Sequence, residues 1–281
     1  MKNKIAWLSA PYVIWMALVV VVPIIMVVVY AFTSAGGGFT LDNFAKMGTY
    51  TVIFTRSFQL ALVATIVCLL LGYPLAYVMA KEGPGFQRMA MVLIMLPMWV
   101  NFLLRTYAWM AILENNGILN NFFEAIGLFD FINNLFGTDF TYFRMIRTQG
   151  AVVLGMVYNY LPFMVLPIYS VIIKLDHSLL EAARDLGCNS FSVLKRVVLP
   201  LSLPGIISGI TMVLIPSIST FYISQKLGNG KFFLIGDAIE GQYVANNLHF
   251  AAAIAFILML ILLAAMALMK RGTNRRVYGG V

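Results

Sequence analysis

The sequence predicts an all-α, polytopic membrane protein, and two observations support that prediction. Of its 281 residues, 61% are hydrophobic and only 11% are charged, whereas soluble domains are roughly half apolar and about a quarter charged. In addition, six apolar stretches are each long enough to cross about 30 Å of hydrocarbon as a helix. Helices are expected because lipid cannot satisfy free backbone groups and no strand-like alternation is present. These predicted spans lie near residues 11–32, 57–80, 89–113, 150–173, 205–225 and 250–269.

The first apolar stretch begins like a signal peptide, with Lys2 and Lys4 ahead of it. However, its apolar run continues past about 20 residues, and no small-residue cleavage site follows a short apolar core. We therefore expect a retained first span and a single transmembrane domain over residues 1–281.

The distribution of lysine and arginine predicts the orientation. If the N-terminus is cytoplasmic, twelve of these 19 residues lie in cytoplasmic segments, six lie outside and Arg105 lies in the third span. Cytoplasmic segments of membrane proteins are enriched in positive charge. We therefore expect both termini in the cytoplasm, and we attribute the net charge of +8 to topology rather than to nucleic-acid binding.

One predicted cytoplasmic loop, residues 178–200, has the residue pattern of two short helices. Ser178 and Glu181 match a capping box, which satisfies free N–H groups at the start of a helix. Gly187 stands where helices end in a left-handed residue, and Asn189 or Ser190 can cap a second helix. The loop is therefore expected to form a rigid helical pair.

The residues leave two interpretations of this pair. It can lie on the membrane surface with its apolar residues in lipid, or it can dock into another protein. The small side chains of Ala182 and Ala183 favour docking, because a surface that faces lipid prefers bulky side chains.

The same loop resembles the EAA motif of permease subunits from ATP-binding-cassette importers. That motif reads E-A-A, three residues, Gly, nine residues, and I-x-L-P. The chain has Glu181-Ala182-Ala183, then Gly187, then Val197-x-Leu199-Pro200 at the same spacing, with Val197 in place of Ile. The resemblance implies the type I importer permease (MetI-like) fold and docking of the loop, as coupling helices, into a separate ATPase.

The resemblance also implies roles and partners. Glu181, Ala182, Ala183, Asp185 and Gly187 would form the ATPase contact and its turn. The implied partners are two copies of a cytoplasmic ATPase that bind ATP and Mg²⁺, a second permease chain of the C type, and an extracellular or periplasmic polyamine-binding protein. The chain itself is expected to bind no cofactor and to lie, with membrane lipid around it, in a bacterial cytoplasmic (inner) membrane.

Five segments across the chain resemble the permease subunits of spermidine/putrescine importers. The resemblance runs from the first span to the last and implies import of polyamines. Permeases for sulfate, molybdate, iron or thiamine share the motif and the architecture, so these solutes stay open as alternatives. The segments are LGYPLAYVMAK, NNGILNN, LPFMVLPIYS, KLDHSLLEAARDLG and LPLSLPGIISG.

An enzyme is not expected from these residues. No G-x-x-x-x-G-K-[ST] phosphate-binding loop is present, so ATP must be bound by another chain. The predicted spans contain no Asp or Glu, and His177 and His249 assemble no metal or catalytic cluster.

An ion-coupled carrier acting alone is a further alternative. Such carriers have membrane-embedded ionisable groups, and here only Arg105 resembles one.

Proline, polar and aromatic residues concentrate in the third, fourth and fifth predicted spans. Polar residues at membrane depth usually face the bundle interior, and interior prolines free carbonyls that need protein or a water-filled cavity. Trp and Tyr near the outer boundary are also typical of interfacial anchors, so the aromatic residues have two interpretations. The candidates for the solute path in these spans are Trp99, Asn101, Tyr107, Tyr158, Asn159, Tyr160, Ser219 and Tyr222.

Two carboxylates in a predicted outside segment, Asp237 and Glu240, complete the candidate path. A polyamine is a polycation, for which carboxylates and aromatic faces are suitable partners. Because no carboxylate lies within a span, the residues permit a polyamine but fit a neutral solute as well.

Overall fold

The computed structural model describes residues 11–34, 36–230 and 232–278, apart from the side chains of His177 and of residues 270–278. The two termini that were predicted to be cytoplasmic lie outside these ranges. Within them the chain is helical and has no β-strand. The helices are α1 (Pro11–Ala31), α2 (Thr51–Lys81), α3 (Pro84–Trp99), α4 (Phe102–Leu113), α5 (Ile118–Ala125), α6 (Leu128–Phe136), α7 (Gln149–Ile172), α8 (His177–Asp185), α9 (Ser190–Leu201), α10 (Leu203–Ser219), α11 (Tyr222–Gly228), α12 (Ile235–Val244) and α13 (Leu248–Tyr278).

Four of these helices are long and apolar enough to cross a membrane without a break. They are α1, α7, the Leu248–Met269 part of α13, and α2 together with the short helices Asp42–Ala45 and Lys46–Tyr50 that lead directly into it. Each corresponds to one predicted span. With 31 residues, α2 reaches about 46 Å at about 1.5 Å per residue, which exceeds the hydrocarbon thickness of about 30 Å.

The predicted span near 89–113 is not one straight helix. The chain bends by 91° between α3 and the helical stretch Phe102–Ala125. Val100 and Asn101 are extended, with ψ angles of 139° and 133°, and they interrupt the helix. The Asn101 side chain caps α4, because its Oδ1 accepts a hydrogen bond from the Leu103 N–H at 2.8 Å.

The predicted span near 205–225 also ends early. α10 stops at Ser219, Thr220 is extended with ψ of 142°, and α11 begins at Tyr222. Pro216, one turn before this break, removes a backbone donor from the helix. At its other end α10 meets α9 at 66°. The structure therefore has four continuous candidate spans, and six if each bent pair is counted as one.

α2, α7 and α10 pack together as the buried centre of the molecule. Small residues allow the helices to approach closely, as is common in membrane bundles. A Cβ at Gly205 would lie 2.8 Å from the Pro167 carbonyl oxygen, and one at Gly209 would lie 2.8 Å from the Met164 Sδ. This core positions two features at opposite ends of α10: the α8–α9 pair at its start and the chain break at its end.

Candidate functional site

The predicted helical pair is present, but its first cap differs from the expectation. Asp176 precedes α8, and its Oδ1 accepts a hydrogen bond from the Ser178 N–H at 2.9 Å. Ser178 therefore lies inside the helix, and the predicted Ser178–Glu181 capping box is wrong. Asn189 caps α9 as expected, because its Oδ1 accepts from the Ser192 N–H at 2.8 Å.

The turn between the two helices has the predicted left-handed glycine. Gly187 has φ of +81°, a conformation that side chains disfavour. The Gly187 N–H donates to the Arg184 carbonyl at 2.8 Å, and the Cys188 N–H donates to the Ala183 carbonyl at 3.1 Å. These two bonds form the Schellman arrangement that closes a helix end, so the angle between α8 and α9 is fixed by backbone bonds.

The motif residues face in two directions. Glu181, Ala182 and Asp185 are exposed, whereas Ala183 is 8% exposed and packs into the protein core. The small side chain of Ala183 therefore allows close packing against the core of this same chain. Two bulky apolar residues stand on the exposed side of the turn: Leu186 is 86% exposed and Phe191 is 69% exposed.

Phe191 was not among the residues singled out from the sequence. The sequence did contain a signal for it, because Phe191 is the first apolar residue of α9 and lies two residues after the helix cap at Asn189. Beneath the pair, a cavity of about 500 Å³ separates α8 from the ends of α2 and α7. Glu181 and Arg184 line it on one side, and Lys81 and Glu82 line it on the other.

At the other end of α10, the two chain breaks meet at one cavity of about 340 Å³. Its walls come from the start of α4, from the end of α10 and from Tyr160 on α7. Tyr160 joins α7 to α10, because its hydroxyl donates to the Pro216 carbonyl at 3.4 Å. The lining residues are Phe102, Leu103, Tyr160, Pro216, Ser219, Thr220, Phe221 and Tyr222.

Aromatic rings and cations surround this cavity. The rings of Tyr107 and Tyr222 meet edge to face with centroids 6.3 Å apart. The Lys226 Nζ lies 5.3 Å from the Tyr107 centroid and 5.5 Å from the Tyr222 centroid. The Arg105 guanidinium lies 5.9 Å from the Phe102 centroid, and its Nε and Nη1 are buried without an acceptor.

The structure therefore brings only part of the predicted path together. Tyr160, Ser219 and Tyr222 line the cavity, and Tyr107 stacks against Tyr222. Asn101 lies next to it as the cap of α4. Sequence reasoning missed Phe102 and Lys226, because their significance depends on the two breaks.

Three predicted path residues lie away from this cavity. Trp99 is 76% exposed at the end of α3. Tyr158 packs its ring against Trp109 with centroids 5.3 Å apart. Asn159 is buried within α7, where its Nδ2 donates to the Gly155 carbonyl at 2.8 Å.

The two carboxylates of α12 have different surroundings. Glu240 lines a second groove of about 660 Å³, which shares Ser219 and Phe221 with the first cavity. Its Oε2 accepts a hydrogen bond from the Gln225 Nε2. Tyr30 and Tyr243 also line this groove.

Asp237, in contrast, is 4% exposed, and its carboxylate binds a backbone N–H at the start of α12. Its Oδ2 accepts a hydrogen bond from the Leu234 N–H at 2.7 Å, and its Oδ1 is buried without a partner. Burial raises the pKa of Asp237 from its ordinary 3.8 to about 6. The Leu234 N–H and Ser224 oppose this shift, and the nearby charge of Glu240 adds to it. Asp237 is thus a buried structural carboxylate, separated from the groove that Glu240 faces.

Comparison with known proteins agrees with this architecture. Residues 72–277 match the family described as "Binding-protein-dependent transport system inner membrane component". The chain is 35% identical to the spermidine/putrescine transport system permease protein PotB of Haemophilus influenzae, over 94% of this chain and 93% of that one. It is 36% identical to PotB of Escherichia coli, over 88% and 90% of the two chains.

Solved structures with low sequence identity have the same fold. A chain of a bacterial alginate ABC transporter, crystallised with a pentasaccharide-bound periplasmic protein, aligns with a TM-score of 0.74 at 15% identity, over 98% of this chain and 95% of that one. A chain of the MetNI methionine ABC transporter aligns with a TM-score of 0.52 at 16% identity, over 83% and 96%. The predicted type I importer permease fold is confirmed. This chain belongs to the family of binding-protein-dependent transport system inner membrane components, and it is a multi-pass permease subunit of the ABC transporter class.

Proposed function

We propose that this chain is the permease subunit of an ATP-driven importer of the polyamines spermidine and putrescine. The observation that carries the proposal is the 35% identity, over almost the whole chain, to a permease named for these two solutes. An external binding protein would deliver the polyamine, and the permease would pass it through the bacterial inner membrane. Both termini of the chain would lie in the cytoplasm.

The geometry at the two breaks supports a path for a cation. The end of α10 at Ser219 forms a wall shared by both cavities. A protonated amine is suited to the Glu240 carboxylate in the second groove, and the methylene chains between the amines are suited to the aromatic side chains that line both cavities. We assign Tyr107, Tyr160, Ser219, Tyr222 and Glu240 to contact with the solute.

The α8–α9 pair would couple this path to two copies of a cytoplasmic ATPase, which bind ATP and Mg²⁺. Glu181, Ala182 and Asp185, with the apolar Leu186 and Phe191, would form the docking face. Ala183 would transmit motion, because it packs into the core, and Gly187 would hold the turn. A second permease chain of the C type would complete the path, since one six-span subunit does not enclose it.

One observation favours a second candidate, an importer of an anion such as sulfate or molybdate. The buried Nε and Nη1 of Arg105 have no acceptor, and Lys226 lies over two rings near the same cavity. An anionic solute would pair with these groups. For a polycation, the positive charges of Arg105 and Lys226 would instead form an electrostatic barrier that prevents the permease from retaining the solute tightly.

Uptake by the reconstituted complex distinguishes the two candidates. Proteoliposomes containing this permease, its partner permease and the ATPase are supplied with the binding protein and with labelled spermidine, putrescine, sulfate or molybdate. The proposal predicts saturable uptake of the polyamines alone, and uptake that is unchanged or faster in Arg105→Gln. Uptake of sulfate or molybdate that is lost in Arg105→Gln would establish the second candidate and reject the first.

A further inference from the structure

α5 and α6, which we call the outer hairpin, carry an apolar surface that the proposed path does not use. The hairpin follows α4 directly and precedes α7, so both of its ends are joined to helices of the membrane bundle. The later of the two, α7, is a candidate membrane span that begins at Gln149, and just before it the Arg147 N–H donates to the Leu227 carbonyl at 2.8 Å. The hairpin therefore lies at the level of the membrane boundary.

The outer hairpin is fixed to the bundle by a buried amide. Asn120 is 2% exposed, and its Nδ2 donates to the Glu114 carbonyl at 3.2 Å and to the Phe143 carbonyl at 3.1 Å. Its Oδ1 accepts from the Phe143 N–H at 2.9 Å. The ring of Phe129 packs beside that of Phe143, with centroids 5.2 Å apart. The orientation of the hairpin is thus set by its own contacts.

Each helix of the outer hairpin has three faces. Phe123 and Phe129 face inward, where their rings meet with centroids 6.4 Å apart. Glu124 and Asp130 are exposed on a polar face. The third face is both apolar and exposed, and on α5 its members recur every fourth residue, which places them in one line along the helix. This apolar stripe consists of Ile118, Phe122, Ile126, Phe131 and Leu135.

We propose that the outer hairpin lies on the outer leaflet of the bilayer, with its apolar stripe among the acyl chains and its acidic face in water. Five bulky apolar side chains form a larger exposed patch than water normally tolerates. An amphipathic helix at the interface buries such a face in the headgroup and acyl boundary. Residues 118–136 contain no Lys or Arg, so apolar burial rather than attraction to anionic headgroups provides the contact.

A lipid surface fits the stripe better than the binding protein does. A binding protein leaves after each delivery, and its departure would return the whole stripe to water. Protein interfaces of that transient kind are also polar over nearly half of their area. The bilayer, in contrast, covers the stripe at all times, and the polar face of Glu124 and Asp130 stays free of it.

Spin labels test this placement in the assembled complex. Cys68→Ala and Cys188→Ser remove the two native thiols, and a label is then attached at Phe131→Cys or Leu135→Cys on the stripe. Glu124→Cys and Asn134→Cys on the polar face are matched controls on the same two helices. The complex is placed in nanodiscs of phosphatidylethanolamine and phosphatidylglycerol, and collisions of each label with oxygen and with a water-soluble nickel chelate are measured.

The proposal predicts that labels at 131 and 135 collide with oxygen and are shielded from nickel, while labels at 124 and 134 show the reverse. This pattern should persist when phosphatidylcholine replaces phosphatidylglycerol. Equal nickel access at 131 and 134 would overturn the proposal. Shielding of the stripe that requires addition of the binding protein would also overturn it and assign the surface to that protein.

Discussion

Gly236, in the first turn of α12, lies directly against the end of α10 at Ser219. A Cβ at Gly236 would be 2.4 Å from the Ser219 carbonyl oxygen and 2.7 Å from that of Thr220. The positive end of one helix therefore meets the negative end of another, which stabilises both dipoles. The Ile235 N–H also donates to the Ser57 Oγ on α2 at 2.8 Å. These contacts hold the chain break that borders both cavities.

Gly236→Ala is expected to destabilise the protein, because the added methyl group must displace backbone oxygens. Overpacking of this kind costs about 1–3 kcal/mol. Gly241→Ala is the matched control on the same helix, since a Cβ there meets nothing within 4 Å, and it should be neutral or stabilise by up to about 1 kcal/mol. Thermal unfolding in detergent and spermidine uptake measure both effects. Equal behaviour of the two variants would contradict the packing described for Gly236.

The left-handed turn at Gly187 predicts a defect in coupling. Gly187→Val should strain the turn, because a β-branched residue is strongly disfavoured at positive φ. ATP hydrolysis by the complex should then no longer respond to loaded binding protein, and uptake should fall. Gly187→Asn is the control, because asparagine tolerates this conformation. Normal coupling in Gly187→Val, or an equal loss in Gly187→Asn, would show that the turn conformation is not what matters.

Glu240 is expected to contribute to recognition of the polyamine. Glu240→Gln keeps an acceptor for Gln225 but removes the charge that would pair with an amine. A lost charged hydrogen bond of about 1.4 kcal/mol raises the KM for spermidine by roughly tenfold. Glu124→Gln on the outer hairpin removes an exposed carboxylate elsewhere and should leave KM unchanged. An unaltered KM in Glu240→Gln would remove this residue from the path.

Asp237 predicts a dependence of stability on pH. Its pKa of about 6 in the folded protein lies above its ordinary value of 3.8, so folding favours the protonated form. Its contribution to stability is therefore fully present below pH 3.8 and is lost as the pH rises to about 6. The loss is at most about 3 kcal/mol. Asp237→Asn should raise the melting temperature above that of the wild type at about pH 7.5, and the difference should shrink at about pH 4. A difference independent of pH would contradict the raised pKa.

Much of the fold follows from local patterns in the sequence. Apolar stretches of sufficient length predicted the helices α1, α2, α7 and α13, and the spacing from Glu181 to Pro200 predicted the α8–α9 pair with its left-handed Gly187. These features depend on properties of neighbouring residues, namely length, periodicity and the backbone freedom of glycine.

The breaks in the third and fifth spans depend on tertiary packing, and the sequence did not locate them. Pro97 and Pro216 each lie a few residues before a break, yet Pro162 and Pro167 lie inside the continuous α7, so proline alone does not distinguish the two cases. The break after Ser219 is held by Gly236, which is distant in sequence. For the same reason the sequence could not predict that Asp237 is buried while Glu240, three residues later, faces the groove.

ATP-dependent uptake of spermidine tests most directly whether this chain is the permease of a polyamine importer. Proteoliposomes containing the complete complex and the binding protein are loaded with ATP or with ADP, and labelled spermidine uptake is measured with and without ionophores that collapse ion gradients. We predict uptake with ATP that persists when the gradients are collapsed and is absent with ADP. Uptake that continues with ADP and stops when the gradients collapse would contradict this function and identify an ion-coupled carrier.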